Sequence, residues 1–160
     1  TQLENLSPNI KKFDLDNLIH NNIELMSQLA KTKNLEILYD SNPDLIAKAD
    51  VRMIDTVIRN LISNAIKFSL TSNKIEIDCR FNGSFIVLRV TDHGIGMTEE
   101  VQKHLYFFNG NNSGTGTRGE RGSGLGLSLC KEFIEENGGS IQIFSKENDG
   151  TEVTITIPSA

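Results

Sequence analysis

DTVIRNLISNAIKFS, from Asp55 to Ser69, decides how the chain folds. At about 100° per residue Asn60, Asn64 and Lys67 fall within roughly a 60° arc, while Ile54, Val57, Ile58, Leu61, Ile62, Ala65 and Ile66 cover most of the remaining circumference. The pattern predicts a core helix with one polar seam. Burying two carboxamides and an ammonium without partners costs several kcal/mol, so a polar group is expected against the seam. Asp50 stands at the N-cap position just ahead of this helix.

Working outward from it, Leu15, Leu18, Ile19, Ile23, Met26 and Ala30 recur at three- and four-residue steps, giving an amphipathic helix from Asp14 onward with acidic residues at its start. His20 lies off that stripe and reads as a surface histidine. Residues Thr1 to Lys12 carry no period and contain Pro8; they read as a linker from an upstream domain, with the domain proper over residues 13–160. Leu35–Tyr39 and Leu45–Ala49 are two short strands around the turn cluster Ser41-Asn42-Pro43-Asp44.

On the other side of the core helix, Ile75, Ile77, Cys79 and Phe81 alternate with polar residues, and Asn82-Gly83 signals a hairpin into Phe85–Thr91. In that second strand Ile86, Leu88 and Val90 share a face that Asp92 continues, so a carboxylate points at the core side. Gly94 and Gly96 bracket Ile95. Thr98-Glu99-Glu100 opens a short helix ending near His104, followed by Tyr106-Phe107-Phe108. Seven of the thirteen glycines lie between Gly110 and Gly126. Their first part, Asn109 to Arg121, reads as a polar loop; their last runs into a helix closed by Gly138-Gly139. Ile141–Phe144 and Val153, Ile155 and Ile157 form two strands joined across Asn148-Asp149-Gly150. Helices alternating with hairpin-linked strands imply an α+β fold: a two-layer sandwich of a mixed, mostly antiparallel sheet covered on one face by about three helices.

The 160 residues suit a single domain, and 38% hydrophobic with 23% charged residues is an ordinary globular balance. A net charge of -5 without any Lys/Arg block argues against a nucleic-acid surface. No run is long and apolar enough for a membrane span, so this piece is expected to be soluble, with no direct membrane contact. Cys79 and Cys130 sit at core positions far apart, which fits reduced buried thiols rather than a disulfide or zinc site.

The residues with chemistry form four short elements: Asn60/Asn64/Lys67, Asp92-His93-Gly94-Ile95-Gly96, Tyr106-Phe107-Phe108, and Gly122-Ser123-Gly124-Leu125-Gly126 at a helix start. A carboxylate only accepts hydrogen bonds, so a core-side Asp92 can select a ligand that presents a donor, such as an exocyclic amine, over one that presents a carbonyl. Glycines let backbone approach a ring closely, and free N–H groups at a helix start face an anion.

In order and spacing these elements resemble the N, G1, F and G2 boxes of the sensor histidine kinase catalytic domain, a GHKL ATPase superfamily member related to gyrase, a heat-shock chaperone and mismatch-repair ATPases. The resemblance runs from about Phe13 to Pro158. It implies ATP and Mg2+ as cofactors, with Asn64 ligating magnesium, Asn60 beside the phosphates and Lys67 reaching the terminal ones. Asn64 and Lys67 are then the catalytic pair. Phe68, Ile95 and Met97 are expected as apolar walls for the base, Thr151 as a hydrogen-bonding group near Asp92, and Gly94, Gly96, Gly122, Gly124, Leu125 and Gly126 as backbone contacts. Phe107 and Phe108 are candidates for closing over the site, although the proline common between the F-box aromatics is missing. Arg118 and Arg121 are candidates for the phosphates.

His20, His93 and His104 are followed by Asn, Gly and Leu, not by the acidic residue that marks the family's phosphoacceptor. The resemblance therefore implies the ATP-binding part of a kinase whose acceptor histidine lies on a separate dimerising helical domain, with relay to a response regulator receiver domain. Its place would be cytoplasmic, as part of a membrane-bound sensor. One alternative is a superfamily ATP clamp, or a module that binds ATP without transferring phosphate. Another is a dinucleotide-binding oxidoreductase: Gly122–Gly126 approaches that fingerprint, with Glu147 about twenty residues on. It fails because a polar loop, not a strand, leads into the glycines. The literal match Gly114-Thr115-Gly116-Thr117-Arg118-Gly119 lies within that loop.

Overall fold

A computed structural model of the chain describes residues 7–71, 73–107 and 126–160, with 104–107 as backbone. In order the elements are β1 (Lys11–Asp14), α1 (Leu15–Thr32), β2 (Glu36–Tyr39), β3 (Ile46–Ala49), α2 (Val51–Phe68), β4 (Lys74–Asn82), β5 (Phe85–Asp92), α3 (Glu99–Phe107), α4 (Gly126–Glu136), β6 (Ser140–Lys146) and β7 (Gly150–Pro158). A five-stranded sheet runs β2-β4-β5-β7-β6, and β1 pairs with β3 in a separate two-stranded ribbon. Only β2 and β4 are parallel; the other pairs of the large sheet are antiparallel. The expected two-layer α+β sandwich is therefore the observed architecture.

α2 forms where the sequence places it. Asp50 caps it by accepting from the Arg52 and Met53 amides at 3.0 and 3.2 Å. Its residues Met53, Ile54, Val57, Ile58, Leu61, Ile62, Ala65 and Ile66 are all buried. Each such side chain is worth about 1.5–3 kcal/mol of transfer free energy, which makes this helix the centre of the core. Inward rows of the sheet meet it: Ile75, Ile77 and Cys79 from β4, Ile86, Leu88 and Val90 from β5, Val153, Ile155 and Ile157 from β7. Both cysteines are buried and unbridged, as expected.

Three features depart from the sequence reading. Lys11 and Lys12 belong to β1, because pairing with Ala49 and Lys48 supplies an order that their own pattern does not show. The β4–β5 turn is centred on Gly83 and Ser84, since Asn82 pairs with Phe85; Gly83 takes the positive φ of 63°. α3 continues past His104 to Phe107.

The far end of α2 is held by a residue with no sequence signature. Lys33, the C-cap of α1, is buried and donates from Nζ to the carbonyls of Ile66 at 2.9 Å, Lys67 at 2.8 Å and Ser69 at 3.3 Å. A cation on the last carbonyls of a helix satisfies orphan acceptors and complements the dipole. The carbonyl of Phe68, between the bonded ones, is left for the segment that follows β5.

Candidate functional site

Three adjacent strands end their apolar rows in polar residues at the same end of the sheet. Asp92 follows Ile86, Leu88 and Val90 on β5; Thr151 precedes Val153 on β7; Ser145 follows Ile141 and Ile143 on β6. The register pairs Asp92 with Thr151 and Thr151 with Ser145, so the three lie side by side. Asp92 is 6% exposed. Its Oδ1 accepts from the amides of Gly94 at 3.0 Å and Thr151 at 3.2 Å. Oδ2 accepts no hydrogen bond among the described residues. Burial pushes the carboxyl up to about 6, against the pull of the two amides and the nearby His93.

The turn after Asp92 is packed by contacts only glycine permits. A Cβ on Gly94 would stand 1.9 Å from the Phe68 carbonyl oxygen, and the Ile95 amide donates to that same oxygen at 3.1 Å. Gly96 has φ +68°, and a Cβ there would lie 2.0 Å from the carbonyl oxygen of Lys146. The Asn148 amide donates to the Ile95 carbonyl at 2.7 Å. The turn is thus clamped between the end of α2 and the β6–β7 hairpin. Met97 packs on the core and its amide donates to Ser145 Oγ at 2.7 Å. His93 Nε2 pairs with Oε1 of Glu76 on the neighbouring strand β4 at 2.7 Å.

Asn60, Asn64, Lys67 and Phe68 share a half-buried side of α2, so the seam is open rather than enclosed. The first residue of α4 faces it: a Cβ on Gly126 would lie 3.5 Å from Asn64 Nδ2 and 3.8 Å from Asn60 Oδ1. Asn60 also touches the buried Cys130 thiol, whose pKa burial raises to about 12. The Lys67 ammonium sits 4.8 Å from the centroid of the Phe68 ring. Phe107 closes α3, and only its backbone is described. Phe108, Arg118, Arg121, Gly122, Gly124 and Leu125 lie outside the described residues.

The structure therefore brings Asp92, Gly94, Ile95, Gly96, Met97 and Thr151 to one end of the sheet. Asn60 and Asn64 meet the start of α4 along α2, and Phe68 joins the two groups through its carbonyl. A cleft of about 420 Å³ borders Asp92, Thr151, Ser145 and Gln102; it wraps round the end of the sheet, and the α2 seam lies outside its lining. Sequence reasoning missed Ser145 and Gln102. The inward parity that singled out Asp92 applies equally to Ser145 and would have found it.

Residues 49–160 match the family described as histidine kinase-, DNA gyrase B-, and HSP90-like ATPase. The chain belongs to this family. It is 31% identical over 154 residues to the sensor-like histidine kinase SenX3 of Mycobacterium tuberculosis, covering 95% of this chain and 37% of the relative. It is 34% identical over 140 residues to the signal transduction histidine-protein kinase ArlS of Staphylococcus aureus, covering 83% and 31% respectively. The chain thus spans about a third of the length of these relatives. Among solved structures, the catalytic domain of histidine kinase ThkA superposes with a TM-score of 0.78 at 29% identity, over 93% of this chain and 95% of that one.

The oxidoreductase alternative does not survive the topology. The strands before and after α4, β5 and β6, are not neighbours: β7 lies between them and pairs antiparallel with both, whereas a dinucleotide-binding βαβ unit puts its two strands in a parallel sheet.

Proposed function

We propose that the chain is the ATP-binding catalytic domain of a two-component sensor histidine kinase. It binds Mg-ATP and presents the γ-phosphate to a histidine on a separate dimerisation domain, for relay to a response regulator. The observation that carries this reading is Asp92: a buried carboxylate with one oxygen held by two amides and the other without a hydrogen bond among the described residues. Such an acceptor suits the exocyclic amine of adenine. Gly94 and Gly96 bring backbone close to the ring, Ile95, Met97 and Phe68 flank it, and Thr151 stands beside the acid.

The tail of the nucleotide extends along the α2 seam toward Gly126. Asn64 accepts and donates no hydrogen bond through its side chain among the described residues, and a half-buried carboxamide oxygen is a hard donor of the kind magnesium takes. Asn64 would hold the ion, which when bound neutralises charge on the phosphate oxygens. Asn60 orients the phosphates and Lys67 stabilises charge on the terminal group as the acceptor imidazole attacks phosphorus and ADP departs. The G2 glycines Gly122 and Gly124, with Leu125 and Gly126, would line the phosphates with backbone. Phe107, Phe108, Arg118 and Arg121 are proposed to close over them.

The names of SenX3 and ArlS support a kinase, and with the chain spanning about a third of each they support an acceptor domain supplied by further sequence. The residues ahead of β1 are read as the connection to it. Among the described residues no helix is long and apolar enough to cross a membrane. A cytoplasmic position within a membrane-bound sensor completes the proposal.

Labelled ATP and magnesium mixed with this chain and a separately made acceptor helical hairpin should label the hairpin's histidine. Binding of ATP without labelling would leave the clamp reading in its place. Thermal stabilisation by NAD but not by ADP with magnesium would remove both.

A further inference from the structure

The polar row at the end of the sheet contains a hydroxyl, that of Ser145 against Thr151, which the nucleotide reading above leaves unassigned. Ser145 Oγ lies 2.7 Å from Thr151 Oγ1 and 3.1 Å from the Gly150 carbonyl oxygen, and it accepts the Met97 amide at 2.7 Å. Gln102 of α3 ties the arrangement down, donating from Nε2 to the carbonyls of Met97 and Ser145, both at 3.1 Å. Ser145 has one proton and two acceptors within reach. When the proton goes to Gly150, the Thr151 proton turns back to Ser145, and Thr151 offers only lone pairs elsewhere. When it goes to Thr151, the Thr151 proton is released for a third partner.

Adenine presents two neighbouring groups on one edge: an amine that donates and a ring nitrogen, N1, that accepts. Asp92 can take only the first. Thr151 is its register neighbour, with its amide already on Asp92 Oδ1, so its hydroxyl stands beside the acid.

We propose that Ser145 is a positioning residue for purine recognition: by donating to Thr151 Oγ1 it turns the Thr151 hydroxyl into a donor for the N1 edge of adenine. The Met97 amide, by occupying a Ser145 lone pair, holds the serine in place for this. Gln102 links the same unit to α3. The inference rests on reading this end of the sheet as the base site.

Calorimetric titration of the chain with ADP and with 1-deaza-ADP, in which N1 is replaced by C–H, tests it. The intact protein should bind the deaza analogue about three- to tenfold more weakly, the range of one hydrogen bond. Ser145→Ala should lose a similar factor for ADP and almost none for the analogue, so the ratio collapses toward one, while Ser145→Thr, which keeps a hydroxyl, restores it. A Ser145→Ala protein that retains the full ratio, or an intact protein with no preference, overturns the proposal. If Ser145→Ala does not fold, Ser145→Cys, with similar volume and a weak donor, carries the same comparison. Asp92→Asn separates the two levels: if it weakens ADP binding while the Ser145 ratio stays intact, only the role of Ser145 falls. If it leaves ADP affinity unchanged, the base site itself is misassigned.

Discussion

Asp16 and Asp92 are two aspartates of nearly equal exposure, 7% and 6%, and the protein treats them in opposite ways. Asp16, in the first turn of α1, has both oxygens engaged. Oδ1 accepts the Tyr39 hydroxyl at 2.7 Å and the Asn42 amide at 2.8 Å, Oδ2 accepts the Ser41 hydroxyl at 2.8 Å, and His20 Nε2 lies 3.7 Å away. Burial alone would raise its pKa, but the bonds from Tyr39, Asn42 and Ser41, with the nearby imidazole, outweigh it and hold the acid below the ordinary carboxylate range. The same contact pushes the Tyr39 phenol well up, burial being the larger cause. Asp92 has one oxygen satisfied and, among the described residues, one open, and its pKa rises. A buried acid with both oxygens engaged from within the fold is a structural tie between α1 and the β2–β3 segment. One with lone pairs left over is built for something that arrives from outside.

The sharpest way to break this distinction is to remove each charge. Asp16→Asn puts an amide N–H₂ where donors already converge, and should cost about 3–4 kcal/mol of stability in a urea melt while the folded fraction keeps its affinity for ADP. Asp92→Asn should do the reverse. The neutral side chain relieves a buried charge, so the free protein should melt no lower at pH 7, yet ADP affinity should fall by about 2–3 kcal/mol, roughly 30- to 150-fold by calorimetry. Equal losses of stability in the two variants would show that Asp92 is a structural acid as well.

The two acids also differ in how visible they were in the sequence. Asp92 was legible because a strand has a period of two: three apolar residues on one face make the fourth position's direction a matter of counting. α2, with its seam and its Asp50 cap, was legible for the same kind of reason. Asp16 was not, because its partners Tyr39, Ser41 and Asn42 lie more than twenty residues away, at the end of β2 and in the connection after it, whose path is set by tertiary packing. Lys33 was hidden likewise: nothing local marks a lysine that will end up on the last carbonyls of another helix. Glycine spacing located the turn after Asp92, but that Gly94 must meet the Phe68 carbonyl emerges only once α2 and β5 are docked.

Acid titration sharpens the comparison further, since the two groups act with opposite sign. Asp92 has a folded pKa of about 6, above its unfolded value near 4, so the folded state binds its proton more tightly. Its contribution to stability should decline by about 2 kcal/mol as pH rises from 4 to 6 and level off by about pH 7, a decline absent from Asp92→Asn. ADP affinity should move the other way, falling as pH drops below 6 and the acceptor oxygen is protonated. Asp16 has a depressed pKa, so its contribution is complete above the unfolded value and is lost as pH falls through the lower folded one. Chemical melts of wild type and each variant at pH 4 to 8 would expose both slopes.

The smallest expected effect tests whether Asp16 is held by its whole ring of donors or by one of them. Tyr39→Phe keeps the aromatic ring against the core and its edge contact with His20, centroids 5.1 Å apart, and deletes only the hydroxyl. Asp16 would retain Ser41 and Asn42, so the loss should be near 1 kcal/mol, the net worth of one hydrogen bond. Because that bond favours the ionised acid, its removal should also move the acid limb of the stability curve to higher pH. The decline between pH 4 and 6 assigned to Asp92 should be untouched, since Tyr39 makes no contact with that end of β5. If Tyr39→Phe instead erased the whole advantage of Asp16 over Asp16→Asn, the tie would reduce to a single bond. The contrast between a filled and a half-filled carboxylate would then lose its first member.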